Sequence, residues 1–337
     1  MQWRRRIFVF LAALCCVVSG LGQDTSKQSS DPLTFVRQFS AAQDVKRTHP
    51  ALEKTLDIVA GPKDETQATD VLKIPRAIAA DGEKRVFVLD ASSHTIHVFD
   101  FGRAKYSLLQ AGDRMQSPVG IAADQQGALY VTDKSSRSIL VFDARGKFSR
   151  ELMKTHGKES YFEEPRGIAI HRPSGRLYVC DGPRNMLVIL DKRGKVLGRI
   201  GKRGGGRDPG DFSNPVQVAV TGDEVVVLDA GNSRFQIFDL QGHFRREAPV
   251  VDADSRSGLA ADSSDNVYIT DPSIGQVEVF GPDGHPLYRF GQMGQETGQF
   301  NGPEGLWIEA GCLFVADTGN KRVQEFRING QTASACQ

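Results

Sequence analysis

Six aspartates recur along the chain, each at the end of a short apolar run. The runs are VFVLD, LYVTD, LYVCD, VVVLD, VYITD and LFVAD, which end at Asp90, Asp133, Asp181, Asp229, Asp271 and Asp317. Six carboxylates in equivalent positions could form an acidic ring or supply metal ligands. An aspartate that follows a strand also accepts hydrogen bonds from the backbone of the next turn, and catalysis does not need six equivalent copies. We therefore interpret the six aspartates as structural.

The spacing of these aspartates predicts the architecture. The intervals are 43, 48, 48, 42 and 46 residues, and a repeated period of this length is typical of propellers, solenoids and arrays. Each run before an aspartate is rich in β-branched and aromatic residues, which indicates a buried strand. A second strand follows each aspartate, a third precedes the run in segments such as PRAIAA and PEGLWI, and a fourth follows most of the hairpin glycines. The pattern predicts six units of four antiparallel strands.

The repeat resembles that of the NHL-repeat β-propeller family. The family motif runs roughly P-x-G-I-A, then V-x-D-T-x-N-x-R-I, then F-D-x-x-G, and the segments DAGNSRFQIF and DTGNKRVQEF are its closest copies here. The resemblance covers about residues 55 to 330. Four copies depart from the motif's asparagine, with Ser93, Ser136, Arg184 and Ile274 in its place. The resemblance implies an all-β, six-bladed β-propeller of four-stranded antiparallel blades, which favours a binding function.

The last repeat lacks a fourth strand, because the tail QTASACQ after Gly330 is short and polar. Propellers complete the last sheet with a strand from the other terminus, which removes an exposed edge. We predict that an N-terminal strand, TLDIVAG at residues 55–61, closes the ring. The alternative is PLTFVRQFS at residues 32–40.

The first 22 residues read as a secretory signal peptide. Arg4, Arg5 and Arg6 precede the apolar stretch IFVFLAALCCVV, and small residues follow it. We expect cleavage after Gly22 and export, to the periplasm or as a secreted protein. A retained anchor and a lipid tether at Cys15 are the alternatives. The predicted organisation is then a tether and partly helical lead-in at residues 23–54, a propeller at 55–330 and a tail at 331–337.

Charge and cysteines narrow the function classes. The formal net charge of +1 gives no reason to expect a nucleic-acid partner or a membrane-surface protein. The apolar stretch is short for a membrane span, so we expect no stable span after signal cleavage, and we expect a monomer. Cys180 lies in a strand run and is interpreted as a core residue. Cys312 and Cys336 could pair, which would attach the tail to the last repeat.

The candidate binding residues lie at positions where the six repeats carry different residue types. The second positions of the inner strands surround the mouth of the central channel and carry Arg76, Val119, Arg166, Val216, Ser257 and Glu304. Two arginines near one glutamate could hold a carboxylate or an acidic side chain in bidentate fashion; the alternative is ordinary paired surface charge. The loop IGKRGGGRDPGDF, interpreted as a flexible connector, adds a minor basic patch of Lys202, Arg203 and Arg207, and Arg184 joins the predicted binding set.

Some propellers of this shape are enzymes. Peptide-amidating lyases use zinc with histidine ligands, and gluconolactonase-like propellers use calcium in the channel. Only His94, just after an aspartate, and His156, in a loop between blades, are expected to reach the face that carries these loops. Zinc catalysis normally needs three protein ligands, of which a carboxylate could be the third. We therefore predict no cofactor and no metal, and an exported, non-catalytic scaffold that binds a protein or peptide. The alternative is a metal-dependent lyase or lactonase-like enzyme.

Overall fold

The predicted strands form a closed ring of six sheets. The structure, a computed structural model, describes residues 31–46, 71–153 and 161–331. Within these ranges 24 strands form six four-stranded sheets, and neighbouring strands in each sheet are antiparallel. The all-β, six-bladed prediction is confirmed.

The strands are numbered in chain order, and each of the first three blades runs outward from the channel. Strand β1 (Leu33–Phe39) comes first in the chain but belongs to the last blade. Blade 1 consists of β2 (Pro75–Ala80), β3 (Arg85–Asp90), β4 (Thr95–Asp100) and β5 (Lys105–Leu109). Blade 2 consists of β6 (Pro118–Ala123), β7 (Leu129–Asp133), β8 (Ser138–Phe142) and β9 (Phe148–Leu152). Blade 3 consists of β10 (Pro165–His171), β11 (Arg176–Asp181), β12 (Met186–Leu190) and β13 (Val196–Gly201).

The remaining blades repeat this order. Blade 4 consists of β14 (Pro215–Val220), β15 (Glu224–Asp229), β16 (Arg234–Asp239) and β17 (Phe244–Pro249). Blade 5 consists of β18 (Leu259–Ala261), β19 (Val267–Asp271), β20 (Gln276–Phe280) and β21 (Pro286–Phe290). Blade 6 consists of β22 (Pro303–Glu309), β23 (Cys312–Asp317), β24 (Arg322–Ile328) and β1. Short 3-10 turns occur at Ala42–Lys46, Gly112–Arg114, Ala230–Asn232 and Thr318–Asn320.

The ring is closed by an N-terminal strand, but not by the one we expected. Strand β1 pairs with β24 from Leu33 opposite Ile328 to Phe39 opposite Val323. The position beside β24 is therefore filled by the alternative segment, residues 32–40, and the prediction for residues 55–61 is wrong. Residues 55–61 themselves lie outside the described residues.

The core lies between blades. Buried apolar side chains of the described residues form six clusters, one between each pair of neighbouring blades. At the closure, Phe39 of β1 packs against Phe99 of blade 1 with ring centroids 4.7 Å apart. The strand that closes blade 6 therefore also buries a large aromatic side chain against blade 1.

The two ends of the ring differ. We call the end that carries the connections between blades and the turns after the six aspartates the loop face. The other end, with the hairpins that follow the inner strands and the third strands, is the hairpin face. Within the described ranges, no helix is both long and apolar enough to cross a bilayer.

The cysteines are partly accounted for. Cys180 is a free, fully buried thiol, as expected, and burial raises its pKa. Cys312 is disulfide-bonded. Cys336, its expected partner, lies outside the described residues.

Candidate functional site

The side chains of the six aspartates accept hydrogen bonds from backbone N–H groups. Asp90 accepts hydrogen bonds from the N–H groups of Lys73 at 2.6 Å and Ile74 at 3.0 Å, before the inner strand. It also accepts them from Ser92 at 2.9 Å and Ser93 at 3.0 Å, in the turn after its own strand. Asp133, Asp181, Asp229 and Asp317 likewise join two loop-face segments of one blade, whereas Asp271 accepts from Ser273 in the turn after its own strand. Five of the six are fully buried, and Asp271 is the exception.

The loop at residues 200–212 is held by side chains of blade 4. Arg234 donates to the carbonyl oxygens of Arg207 at 2.8 Å and Asp211 at 2.9 Å. Asn232 donates to Gly206 at 2.8 Å. This segment is therefore a fixed loop, and the expectation of a flexible connector is wrong, because the motif residues of blade 4 satisfy its backbone carbonyls.

The mouth of the channel at the loop face contains a cross-blade ion pair. Arg76 of blade 1 donates from Nε to Glu304 Oε2 of blade 6 at 3.0 Å. Close contact between the inner strands makes this possible, since a Cβ atom at Gly305 would lie only 2.5 Å from the Arg76 carbonyl oxygen. The two residues line a cavity of about 250 Å³, with a further lining of Val119, Lys134, Arg166, Gly167, Val216, Gln217, Ser255 and Arg256.

The third predicted residue of the mouth lies on blade 3. Arg166 bonds to Glu164 at 2.9 Å, and Lys134 of blade 2 bonds to the same carboxylate oxygen at 2.8 Å. Nη1 of Arg166 is buried and has no hydrogen-bond partner among the described residues. The lining therefore contains four cationic side chains and one carboxylate.

Burial and the nearby cations have opposite effects on the pKa values of Glu304 and Glu164. Burial raises the pKa of Glu304 above its ordinary value, and the nearby Arg76 only partly offsets this. For Glu164, burial also raises the pKa, but the hydrogen bond from Lys134 and the charge of Arg166 outweigh it, so that the pKa is lowered. Glu164 is thus held as an anion by two cations, whereas Glu304 is the carboxylate more easily protonated.

Below the mouth, polar and apolar atoms of the inner strands line the channel in about equal share. Its lining is formed by the inner strands and includes Ala77, Ile121, Ile168, Val218, Ala260 and Leu306, around a cavity of about 80 Å³. Gln217 lines both this cavity and the mouth. At the hairpin face, Arg172 crosses the end of the channel to Glu309, with two contacts of 2.8 Å.

The structure brings together only part of the predicted binding set. Arg76, Arg166 and Glu304 meet at the mouth. Arg184 turns back on its own blade, where it contacts the carbonyl oxygen of Tyr161 and lies 3.5 Å from Asp181. The basic patch of the 200–212 loop does not line the mouth: Lys202 pairs with Asp211 at 2.6 Å, and Arg203 and Arg207 are exposed.

Four residues at the two ends of the channel were missed. Lys134 and Arg256 lie next in sequence to positions compared across the repeats: Lys134 follows the repeat aspartate Asp133, and Arg256 precedes Ser257, the second position of an inner strand. Arg172 is the only basic residue at the seventh place after the start of an inner strand, and Glu309 ends the last inner strand. These four residues could be found from the sequence by comparing the charge of the positions next to the repeated pattern across the six repeats.

The histidine positions do not converge in the described part of the molecule. His94 is exposed on the loop face, and His156 lies outside the described residues. Among residues 31–46, 71–153 and 161–331, no group of three or more histidine, cysteine, aspartate or glutamate side chains is arranged to hold a metal ion.

Comparison with known proteins agrees with the fold. The model of family DUF5128, described as 6-bladed beta-propeller, matches residues 158–256. No curated protein sequence matches the chain. The matched segment comprises blade 3 and blade 4.

Solved structures share the architecture at low identity. A gluconolactonase from Xanthomonas campestris is 16% identical, with a TM-score of 0.59 over 76% of this chain and 86% of that one. An auxiliary nutrient binding protein from Bacteroides thetaiotaomicron is 14% identical, with a TM-score of 0.58 over 76% and 69%. An inactive virginiamycin B lyase from Staphylococcus aureus is 13% identical, with a TM-score of 0.54 over 77% and 86%. Enzymes and a binding protein are both built on this fold, so the fold alone does not decide between them.

Proposed function

We propose that this chain is an exported, non-catalytic propeller that binds a protein or peptide through its loop face. The observation that carries the proposal is the distribution of exposed apolar side chains. Six of the ten large apolar side chains that the described residues expose lie on the loop face: Val71, Ile74, Tyr161, Val251, Ile274 and Met293. Apolar groups gathered on one face favour an interaction surface.

The other four exposed apolar side chains have a different setting. Phe35, Leu197, Phe244 and Leu287 each lie on the outermost strand of a different blade. Single apolar residues of this kind are ordinary on a protein surface. The loop-face group differs because it lies on the same face as the charged mouth, which supplies orientation and charge selection to a partner held by apolar contacts.

The geometry of the mouth favours an acidic partner group. Arg166 is about four-fifths buried at the side chain and keeps a guanidinium nitrogen without a partner. With four cationic side chains and one carboxylate, the lining of the mouth has a positive balance that attracts an acidic group. The proposed partner therefore places an acidic group at the mouth and apolar groups on the surrounding loops.

The proposal is tested by charge reversal at the mouth. Partners captured from an extract of the native envelope are measured against the wild-type protein and against Arg76→Glu with Arg166→Glu. The proposal predicts at least about a tenfold loss of affinity, and unchanged affinity would contradict the assignment of the mouth. Metal analysis of the purified protein tests the alternative: stoichiometric zinc or calcium, lost on His94→Ala or Glu304→Ala, would favour a lyase or lactonase-like enzyme.

A further inference from the structure

Lysine and arginine gather on one half of the hairpin face. The hairpin-face turns of blades 1, 2 and 3, taken with the strand residue on either side, expose seven basic side chains: Lys84, Arg103, Lys105, Arg145, Lys147, Arg193 and Lys195. We call these seven residues the basic crescent. The same turns expose one acidic side chain, Glu83. In the described residues, the corresponding turns of blades 4, 5 and 6 contain no lysine or arginine and expose Asp223 and Asp283.

The chain after each third strand supplies most of the crescent. In blades 1, 2 and 3 this part of the chain carries arginine and, two residues later, lysine: Arg103 and Lys105, Arg145 and Lys147, and Arg193 and Lys195. Asp143 of blade 2 accepts hydrogen bonds from two backbone N–H groups of its turn, at 2.9 and 3.0 Å. Asp239 of blade 4 accepts the equivalent bonds, both at 2.9 Å, although the residues there are Gln241 and His243. The turn therefore forms without arginine or lysine, and its geometry does not explain why three neighbouring blades carry them.

Most of the basic crescent is not neutralised by the protein itself. Arg103 lies 3.0 Å from Asp100 and 3.9 Å from Glu83. The other six side chains form no ion pair with any residue that the structure describes. A surface that serves solubility alone usually intersperses the two signs of charge, whereas a patch of one sign raises the local concentration of ligands of the opposite sign. The crescent is therefore suited to bind an anion.

A cleft between blades 1 and 2 makes part of the crescent concave. Its volume of about 300 Å³ lies at the lower end of the range for ligand pockets. The charged residues of its lining are Arg85, Asp100, Arg103, Lys105, Asp143 and Arg145. Arg85 is already paired with Asp81 at 2.5 Å, and the two lining aspartates accept backbone N–H groups of their turns. Arg103, Lys105 and Arg145 are exposed and are therefore the cations that a ligand in the cleft can reach.

The surroundings of the crescent distinguish among anionic partners. None of the ten large apolar side chains that the described residues expose lies in these turns of blades 1–3. The crescent therefore lacks the apolar anchors of a protein interface or a membrane-inserted surface, and the exposed aromatic rings on which nucleic-acid bases stack. Because the acidic turns of blades 4–6 lie on the same face, a flat anionic surface would meet both signs of charge. A flexible, hydrated chain can follow the crescent alone.

We infer that the basic crescent binds an anionic polysaccharide, a flexible chain that carries repeated carboxylate or sulfate groups. One anionic unit occupies the cleft between blades 1 and 2, and the exposed arginines and lysines on either side contact the units that follow. These contacts gain free energy from charge-assisted hydrogen bonds and from the release of counterions bound to the polyanion. The crescent lies at the opposite end of the ring from the loop face, so the inference does not depend on the proposed function.

Binding of a heparin octasaccharide to the wild-type protein is the first test, because this probe carries both carboxylate and sulfate groups. Fluorescence anisotropy of the labelled probe gives the affinity, and we expect a Kd of about 1–100 µM at physiological salt. The logarithm of the association constant should fall with the logarithm of the salt concentration, with a slope of about −3 to −5 if about four to six cations make contact. A neutral dextran oligosaccharide is the control ligand, and we expect no binding of it up to about 10 mM.

Two double variants with an equal loss of charge then locate the binding. Arg145→Ser with Lys147→Ser removes the centre of the crescent. We expect heparin affinity to fall about 5- to 20-fold at physiological salt, and the salt slope to become less steep by about 1 to 2. Arg137→Ser with Lys321→Ser removes two exposed cations from loop-face turns and is expected to change the affinity by less than about twofold. All four side chains are exposed and form no ion pair among the described residues, so both variants should keep the fold.

Equal losses in the two variants, an unchanged affinity in the crescent variant, or no binding of heparin by about 1 mM would overturn the inference. Two further probes separate the classes of polyanion: a single-stranded thymidine oligonucleotide of equal charge, and vesicles of phosphatidylglycerol with phosphatidylcholine. Tighter binding of either probe than of heparin would point to a nucleic acid or a membrane and would overturn the polysaccharide assignment. A partner captured at the loop face should bind the crescent variant as tightly as the wild type, so each of the two proposals can fail while the other stands.

Discussion

Arg172 and Glu309 lie on opposite blades of the ring and form a bidentate ion pair across the hairpin-face end of the channel. The Nη1–Oε1 and Nη2–Oε2 distances are both 2.8 Å. Trp307 lies beside the pair, with its Nε1 3.3 Å from Glu309 and the Arg172 guanidinium carbon 5.8 Å from its ring centroid. One side chain of blade 3 thus contacts blades 1, 2 and 6.

Removal of this pair should destabilise the propeller. Arg172→Met removes the ion-pair partner of Glu309 and the donor to the carbonyl oxygens of Ala80 and Ala123. Because the pair is only partly exposed, we expect a loss of roughly 1–3 kcal/mol in the free energy of unfolding. Urea denaturation measures this. The control is Arg103→Met on the same face: its guanidinium is mostly exposed, and Asp100 keeps the hydrogen bond from the Arg103 backbone N–H, so we expect a loss below about 1 kcal/mol. A loss equal to that of the control would show that the crossing pair does not stabilise the ring.

Equivalent aspartates should ionise at different pH values. Burial raises the pKa of Asp90, but four backbone N–H groups outweigh it, and the pKa is lowered from 3.8. Asp181 receives backbone N–H groups only from Glu163 and Glu164, so burial prevails and its pKa is raised from the same value. NMR titration of the carboxyl carbons should therefore show Asp90 ionising at the lower pH. The reverse order would contradict the hydrogen-bond assignment.

The two shifts have opposite effects on stability. A carboxylate with a lowered pKa contributes stability that is present above its unfolded pKa and is lost as the pH falls through the folded value. Asp90 therefore stabilises the fold at neutral pH and ceases to do so in acid. Ionisation of Asp181 instead costs stability, and this cost appears as the pH rises through its unfolded and then its folded pKa.

Glu304 should make carboxylate binding dependent on pH. Because burial raises the pKa of Glu304, lowering the pH from neutral neutralises Glu304 before it neutralises a carboxylate of ordinary pKa on the partner. Loss of this charge removes repulsion and leaves Arg76 available to the ligand. The dissociation constant of a captured acidic partner should therefore be lower at the lower pH. Glu304→Gln should bind about 3- to 10-fold more tightly at neutral pH and lose most of the pH dependence; weaker binding by this variant would contradict the assigned role.

Much of the fold is readable from local sequence. The run VVVLD gives strand β15, which ends at Asp229, and the segment PEGLWI gives the start of β22 at Pro303. These elements are predictable because strand patterning and turn residues repeat six times in one register. The closing strand was not predictable in this way, since both N-terminal candidates have strand-like composition. Pairing of Leu33 with Ile328 is a long-range contact that local patterning does not encode.

The candidate site was predictable from the sequence where its residues occupy the same position in different repeats. Arg76, Arg166 and Glu304 occupy equivalent positions, so the repeat places them around one opening. Which charges pair there depends on the neighbouring turns. Glu164 forms ion pairs with both Arg166 and Lys134, and neither Glu164 nor Lys134 lies at the repeat position that Arg76, Arg166 and Glu304 share. The same limit explains Arg184, whose direction is set by contacts with Tyr161 and Asp181 rather than by its place in the motif.

The central claim is that the loop face is the binding surface, and a comparison of two matched double variants tests it most directly. Tyr161→Ser with Val251→Ser removes exposed apolar side chains from the loop face, and Leu197→Ser with Leu287→Ser removes them from outer strands. The dissociation constant of a captured partner is measured for both variants and the wild type. We predict at least about a tenfold weaker affinity for the loop-face variant and an unchanged affinity for the outer-strand variant. An unchanged affinity in the loop-face variant, or an equal loss in both, would contradict the claim.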